Sequence, residues 1–483
     1  MRSLQNWGTL LLPLSSLFSL ASCLDLPKDF VPPQVFKNSN LLRTIDITKP
    51  YVRETVAMVI DNISKEPQAE YYVPIPKGII ENISYLEARG EDGPHVANTA
   101  VFDSESETQY YKVLLSAPLP AGKSTKLWIT LAQTDCLIPV PTLIGQTDKQ
   151  FLQWTGSQYA ASAYVTEKQK TKIKFPNSEV PNYTILESGD PTGAGSWYTY
   201  GPYKTVSPDQ KGGKAITLRF EYTSPVIKMT KMERHIEVSH WGGNIAFEER
   251  YWMTNLGAKL KDTFSRVQWA STSYYNPPTS AIKQLTFSLT PGAQDAYFTD
   301  EIGNVSTSRF RSNIREAHLE LKPRYPVFGG WNYSFVVGWN HDLKNFLRVS
   351  QDGERYVLKV PFLEGPRDSV TYDEIEIIVV LPEGATLPIL TESALSDVKY
   401  SPPIPLFSEE EYLHHTFMDT LGRTSIKMKA VNVVDEQHKK ELIVTYRYPT
   451  MALYRKPFVI FTGVLTLFTF SWLVSKIDLR IGK

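Results

Sequence analysis

"RYPVFGGWNYSFVVGWN", residues 324–340, decides how the rest of the chain is read. Gly329 and Gly330 are adjacent, and aromatic residues flank them. Paired glycines serve where the backbone needs a positive φ or a close approach by another strand. Beyond them, Tyr333, Phe335 and Val337 alternate with Asn332, Ser334 and Val336, the period of a half-buried strand. The stretch therefore reads as a turn entering a strand, not as a ligand cradle or a catalytic loop. It also contains the sequon Asn332-Tyr333-Ser334. A glycan on Asn332 requires that side of the strand to face solvent, and a docked partner there requires the site to be empty.

The same pattern recurs along the chain. "STKLWITLAQ" puts Leu127, Ile129 and Leu131 on one face, and "AITLRFEYTS" does the same with Leu218, Phe220 and Tyr222. "YDEIEIIVVLPEG" and "KELIVTYRYP" read alike, and 33 prolines discourage long helices. Comparing the chain with itself reveals a repeat. "RTIDIT" (43–48) matches "RHIEVS" (234–239), and "VAMVIDNI" (56–63) precedes the same kind of strand end as "RYWMTNL" (250–256). "PLPAGKSTKLWIT" (118–130) then corresponds to "RYPVFGGWNYSFVV" (324–337), and "RFEYTSP" (219–225) to "TYRYPT" (445–450). Four matches in the same order indicate an internal duplication. The expected fold class is mainly β, with two tandem, duplicated β-sandwich-like domains at 24–230 and 231–450, joined near 225–233.

The two ends carry different signals. Residues 1–23 hold Arg2, the apolar run "LLLPLSSLFSLASC" and small residues suited to signal-peptidase cleavage after Ala21 or Cys23. Pro457 to Val474 holds no charge and is bounded by Arg455, Lys456 and Lys476. Those 18 residues span about 27 Å as a helix, close to the hydrocarbon thickness of the ER membrane. Basic residues flank this span equally, so the cleaved signal must set the orientation. It predicts a single-pass type I protein with a lumenal bulk and a short cytosolic tail, 475–483.

Composition narrows the function. Lysine plus arginine and aspartate plus glutamate number 51 each, so no excess of positive charge points to nucleic acid. Of the two cysteines, Cys23 leaves with the signal, and Cys136 alone can form no internal disulfide. Sequons fall at Asn62, Asn82, Asn182, Asn304 and Asn332, all candidate N-glycosylation sites. "QKGGKAIT" lacks the first glycine of a phosphate loop, and "GDPTGAGSW" does not fit the dinucleotide fingerprint. In "SEEEYLHHTF" (408–417), Glu410 and His414 share a face if the segment is helical. Two ligands fall short of a metal site, however, and a helix start capped by Ser408 explains the same residues. No catalytic, cofactor-binding or metal-binding residue is assigned.

Several long segments resemble the ribophorin I family: "HWGGNIAFEE" (240–249), "DEIGNVSTS" (300–308), the opening stretch, "VLPEGA" (380–385), "MDTLGR" (418–423) and "VDEQHKKELIVTYRY" (434–448). The resemblance implies a non-catalytic accessory subunit of the ER oligosaccharyltransferase complex. That complex transfers a dolichol-linked oligosaccharide to Asn of N-x-S/T sequons in nascent proteins, and catalysis belongs to another, multi-spanning subunit. Implied partners are the other subunits, nascent polypeptides and the translocon. The alternatives are an ER-resident chaperone or cargo receptor acting outside the transferase, and a membrane-anchored hydrolase.

Overall fold

The computed structural model describes residues 30–476 apart from 92, 100–107, 188–189, 209–212, 276, 352, 389–399, 402–405, 417–418 and 439. The expected signal peptide, 1–23, and residues 477–483 of the expected tail lie outside the described residues. The fold is mainly β, and one strand order occurs twice. In the first half Trp197–Val206, Thr166–Lys174, Phe36–Asp46, Val52–Asn62 and Ser124–Gln133 lie side by side. In the second half Arg423–Val434, Val370–Val380, Ile227–Ser239, Asn244–Asn255 and Asn332–Asp342 repeat that order. The single parallel pairing falls at the same place in each, Phe36–Asp46 with Thr166–Lys174 and Ile227–Ser239 with Val370–Val380. A smaller sheet also repeats: Phe151–Ser157 pairs with Ala215–Glu221, as Arg355–Pro361 pairs with Glu441–Arg447. The four sequence matches fall on equivalent strands.

One face of each large sheet is buried, which the period-two pattern requires. In the first half two covers share that face. The smaller sheet brings Leu152, Leu218 and Phe220 against Ile45 and Ile173, and the strands Gln68–Pro76 and Thr108–Leu119 bring Tyr71, Val73 and Val113 against Leu41 and Met58. Arg43 lies between Leu41 and Ile45 on the same face, at the seam. It is bidentate to Glu54 (2.8 and 2.7 Å) and donates to the Ser157 carbonyl at 2.6 Å, where the covering strand ends. Arg234 repeats the arrangement. It pairs with Glu249 and with Glu364 (3.0 Å), and donates to the carbonyl of Pro361, the end of the equivalent strand, at 3.2 Å. A strand end buried under a second layer leaves a carbonyl without a partner, and a guanidinium with several donors can serve it while its charge is matched by carboxylate.

The two halves meet at a polar seam. Tyr51 donates to Asp435 at 2.5 Å, Lys49 pairs with the same carboxylate at 3.0 Å, and Tyr85 donates to Glu436. Burial and these carboxylates raise both tyrosine hydroxyls far above their usual pKa, so they stay donors.

Ser408–His414 is a strand, which corrects the helical reading. Ser408, Glu410 and Tyr412 pair with Lys429, Lys427 and Ser425 of the neighbouring strand. Charged side chains suit a sheet edge, and cross-strand lysines offset the three glutamates. Four residues of strand put Glu410 and His414 about 13 Å apart, too far to share an ion.

The described residues end in the helix Arg455–Lys476, which has no buried residue and contains an 18-residue window of mean hydropathy 1.9. It is long and apolar enough to cross a membrane. Its foot is pinned to the second half: Lys456 pairs with the buried Asp419 at 3.0 Å, and a Cβ at Gly384 would crowd Ala452.

Candidate functional site

The glycine pair at 329–330 forms the expected turn. A Cβ at Gly329 would overlap the carbonyl oxygens of Gly257 and Ala258, while Gly330 has φ +77° and donates its N–H to Asn255 at 2.7 Å. Asn255 is fully buried and organises the joint. Its amide donates to the Ser280 and Val327 carbonyls at 2.7 and 2.9 Å, and its oxygen accepts from Gly257 N and Val226 N. Gln150, from the first half, accepts from Ala258 N at 2.8 Å and donates to Tyr222 and Ser224. Two buried amides thus tie the linker between the halves to the glycine turn, each with its polar atoms satisfied.

The turn does more than reverse the chain. It projects Phe328 and Trp331 toward Phe264 and Trp269, the latter on the short helix Arg266–Ser273 that Ser265 caps. Trp269, Phe328, Trp331 and Tyr325 follow one another at centroid separations of 5.4, 5.6 and 6.0 Å. Phe264, Trp269, Tyr325 and Trp331, backed by the buried Phe328, form the wall of an open groove of about 820 Å³, with Arg266, Lys283, Lys322 and Arg324 also lining it and no carboxylate among its lining residues. Trp269 and Lys283 also line a smaller cavity that reaches Asp148, Pro277 and Pro278, so the groove continues across both halves. Lys283 sits 5.7 Å from the Trp269 ring centre, and burial lowers its pKa. Arg324 is held by Asp300 at 2.5 and 3.1 Å, and that hydrogen-bonded guanidinium keeps the Asp300 carboxyl below its ordinary range. Aromatic faces and fixed cations can hold apolar, aromatic or acidic segments of a chain. Among the described residues that line the groove, none is a nucleophile paired with a base.

The remaining predicted positions scatter. Asn182, Asn304 and Asn332 are exposed, and the Asn332 side-chain oxygen accepts from Thr254. Asn82 is half-buried. Asn62 is 1% exposed, and its amide donates inward to the carbonyls of Glu66 and Leu119 at 2.9 and 2.8 Å. Cys136 donates to the Thr134 carbonyl at 3.1 Å, and burial pushes its thiol up to about 12, so it is protonated at neutral pH. Sequence reasoning missed Phe264, Trp269 and Lys283, which local pattern does not connect to the glycine turn. The buried arginines did leave a signal: each is a charge at an inward position of a strand, repeated in both hexapeptides.

A sequence profile described as Ribophorin I matches residues 36–475. The chain belongs to the Ribophorin I family. Dolichyl-diphosphooligosaccharide–protein glycosyltransferase subunit 1B of Arabidopsis thaliana is 31% identical to this family member over 459 residues, 92% of this chain and 93% of its own. Subunit 1 from Schizosaccharomyces pombe is 28% identical over 461 residues, 95% of this chain and 98% of its own. A solved M1 zinc metallopeptidase from Deinococcus radiodurans covers 43% of this chain and 44% of its own at 11% identity and a TM-score of 0.23, too slight a likeness to bear on function.

Proposed function

We propose that this chain is a non-catalytic subunit of oligosaccharyltransferase, supporting transfer of a dolichol-linked oligosaccharide to asparagine in nascent proteins. The observation that carries this is alignment over more than nine-tenths of both chains with proteins named as subunit 1 of that transferase. The chain acts as two duplicated domains, 24–230 and 231–450, held in the ER lumen by one type I span. Catalysis belongs to a multi-spanning partner subunit. The aromatic, cation-lined groove beside Gly329 and Gly330 meets the unfolded acceptor chain, which offers apolar and acidic side chains from an extended backbone. Translocon contact follows from the same role, because acceptor chains arrive there. Asn182, Asn304 and Asn332 carry the glycans, and the native site of Asn62 has no room for one.

Depletion tests the reading. Loss of the protein leaves secretory glycoproteins short of glycans, and the full chain restores them. Normal sequon occupancy in its absence refutes the role.

A further inference from the structure

The turn 240–243, "HWGG", joins Ile227–Ser239 to Asn244–Asn255 and is held from inside. His240 sits 2.7 Å from the Tyr446 hydroxyl, and its ring packs 4.5 Å from Tyr448. Gly242 donates to Ser239 Oγ, and Gly243 has φ +64°. This anchoring leaves Trp241 outside, 61% exposed. A large indole left in water on a rigid turn has no role in the fold.

Its position explains it. Trp241 shares a cavity of about 210 Å³ with Val459 and Ile460 of the C-terminal helix. The apolar run Pro457–Val474 is 18 residues, about 27 Å, just enough for an ER bilayer. There is no spare apolar length, so Val459 and Ile460 lie inside the hydrocarbon edge, and Trp241 beside them lies at the boundary. Met451, Tyr454 and Phe458, just before and at the start of the apolar run, are exposed at 84%, 61% and 66%. Arg455 and Lys456 start the helix next to them. Aromatic rings with a polar atom, bordered by cations, are the composition of a membrane interface. Glu237 and Glu383, which line the same cavity, set the depth limit, because carboxylates do not enter hydrocarbon cheaply.

We propose that the 240–243 turn is a second membrane contact. Trp241 seats in the boundary between headgroups and acyl chains of the leaflet at the foot of the span, so the second half rests on lipid at two points. The proposal relies on reading Arg455–Lys476 as a membrane span. The partner is the lipid surface itself, and the contact fixes the tilt of the groove-bearing half over the bilayer.

The test uses the full chain in phosphatidylcholine nanodiscs, with Cys23 and Cys136 replaced by alanine and a nitroxide placed by Trp241→Cys. Labels at Ile314 and Leu467 report water and hydrocarbon. The proposal expects collisions with oxygen to rise and those with a water-soluble nickel chelate to fall relative to 314, giving a depth between 314 and 467. A label at Tyr454→Cys, three residues before the apolar run, gives the same depth, so the result does not depend on one variant. Values at 241 equal to those at 314, with 467 still in hydrocarbon, overturn the proposal alone. Low collision with both reagents at 241, the mark of covering protein, also overturns it. Water-like values at 467 instead overturn the span.

Discussion

Arg234→Met offers a quantitative test of the buried seam. The arginine, Glu249 and Glu364 have side chains 0%, 0% and 4% exposed. Removing the cation leaves two carboxylates where water does not reach, and breaking a buried pair on one side costs about 3–5 kcal/mol. At roughly 2–4 °C per kcal/mol for a unit of this size, melting falls by roughly 6–20 °C. The lower end is favoured, because Glu364 keeps bonds from Thr290 and Glu249 keeps one from Tyr251. Burial already raises the Glu249 carboxyl, and Arg234 opposes that rise. Without Arg234 the folded-state pKa climbs further above the unfolded value. A folded state that binds more protons loses stability as pH rises, so the variant recovers toward wild type on acidification. Arg43→Met removes a pair that lines an open cavity, so solvent relieves Glu54 and the loss is about 1–3 kcal/mol. Thermal melts of both full-length variants between pH 5 and 8 measure this. A smaller loss for Arg234→Met than for Arg43→Met, or no recovery in acid, would refute the reasoning.

Other outcomes follow from single sites. Gly329→Ala forces a methyl into two backbone carbonyls and destabilises the second half by about 1–3 kcal/mol, seen as protease cleavage near 257–260 at lower temperature. Trp269→Ala strips the groove of the ring its two cavities share and lowers photocrosslinking of nascent chains while the melt stays near wild type. Native Cys136 resists alkylation at pH 7.5 and reacts after denaturation, because its thiol is protonated and packed. Isotope-labelled deglycosylation followed by mass spectrometry finds Asn182, Asn304 and Asn332 occupied and Asn62 empty.

How much of this could be read from sequence depends on range. Strand alternation and the duplicated hexapeptides lie within ten residues of chain, and both marked the correct strands. The Gly329–Gly330 turn was legible for the same reason, since glycine reports local backbone need. Its groove was not, because Phe264 and Trp269 lie some 60 residues upstream and meet Phe328 only in the folded chain. The paired carboxylates were also hidden. Glu249 stands directly across from Arg234, whereas Glu54 stands across from Ile45, two residues from the position facing Arg43. Ser408–His414 misled because glutamates and histidines four apart satisfy a helix face as well as a charged edge strand.

The central claim is membership in a working oligosaccharyltransferase. Crosslinking mass spectrometry on the protein extracted from membranes in mild detergent tests it most directly, since it names partners without presuming any. The account predicts crosslinks from the lysines of the two β halves to a multi-spanning glycosyltransferase subunit and its companions. A chain recovered without a transferase subunit, or crosslinked only to chaperones or cargo, would contradict it.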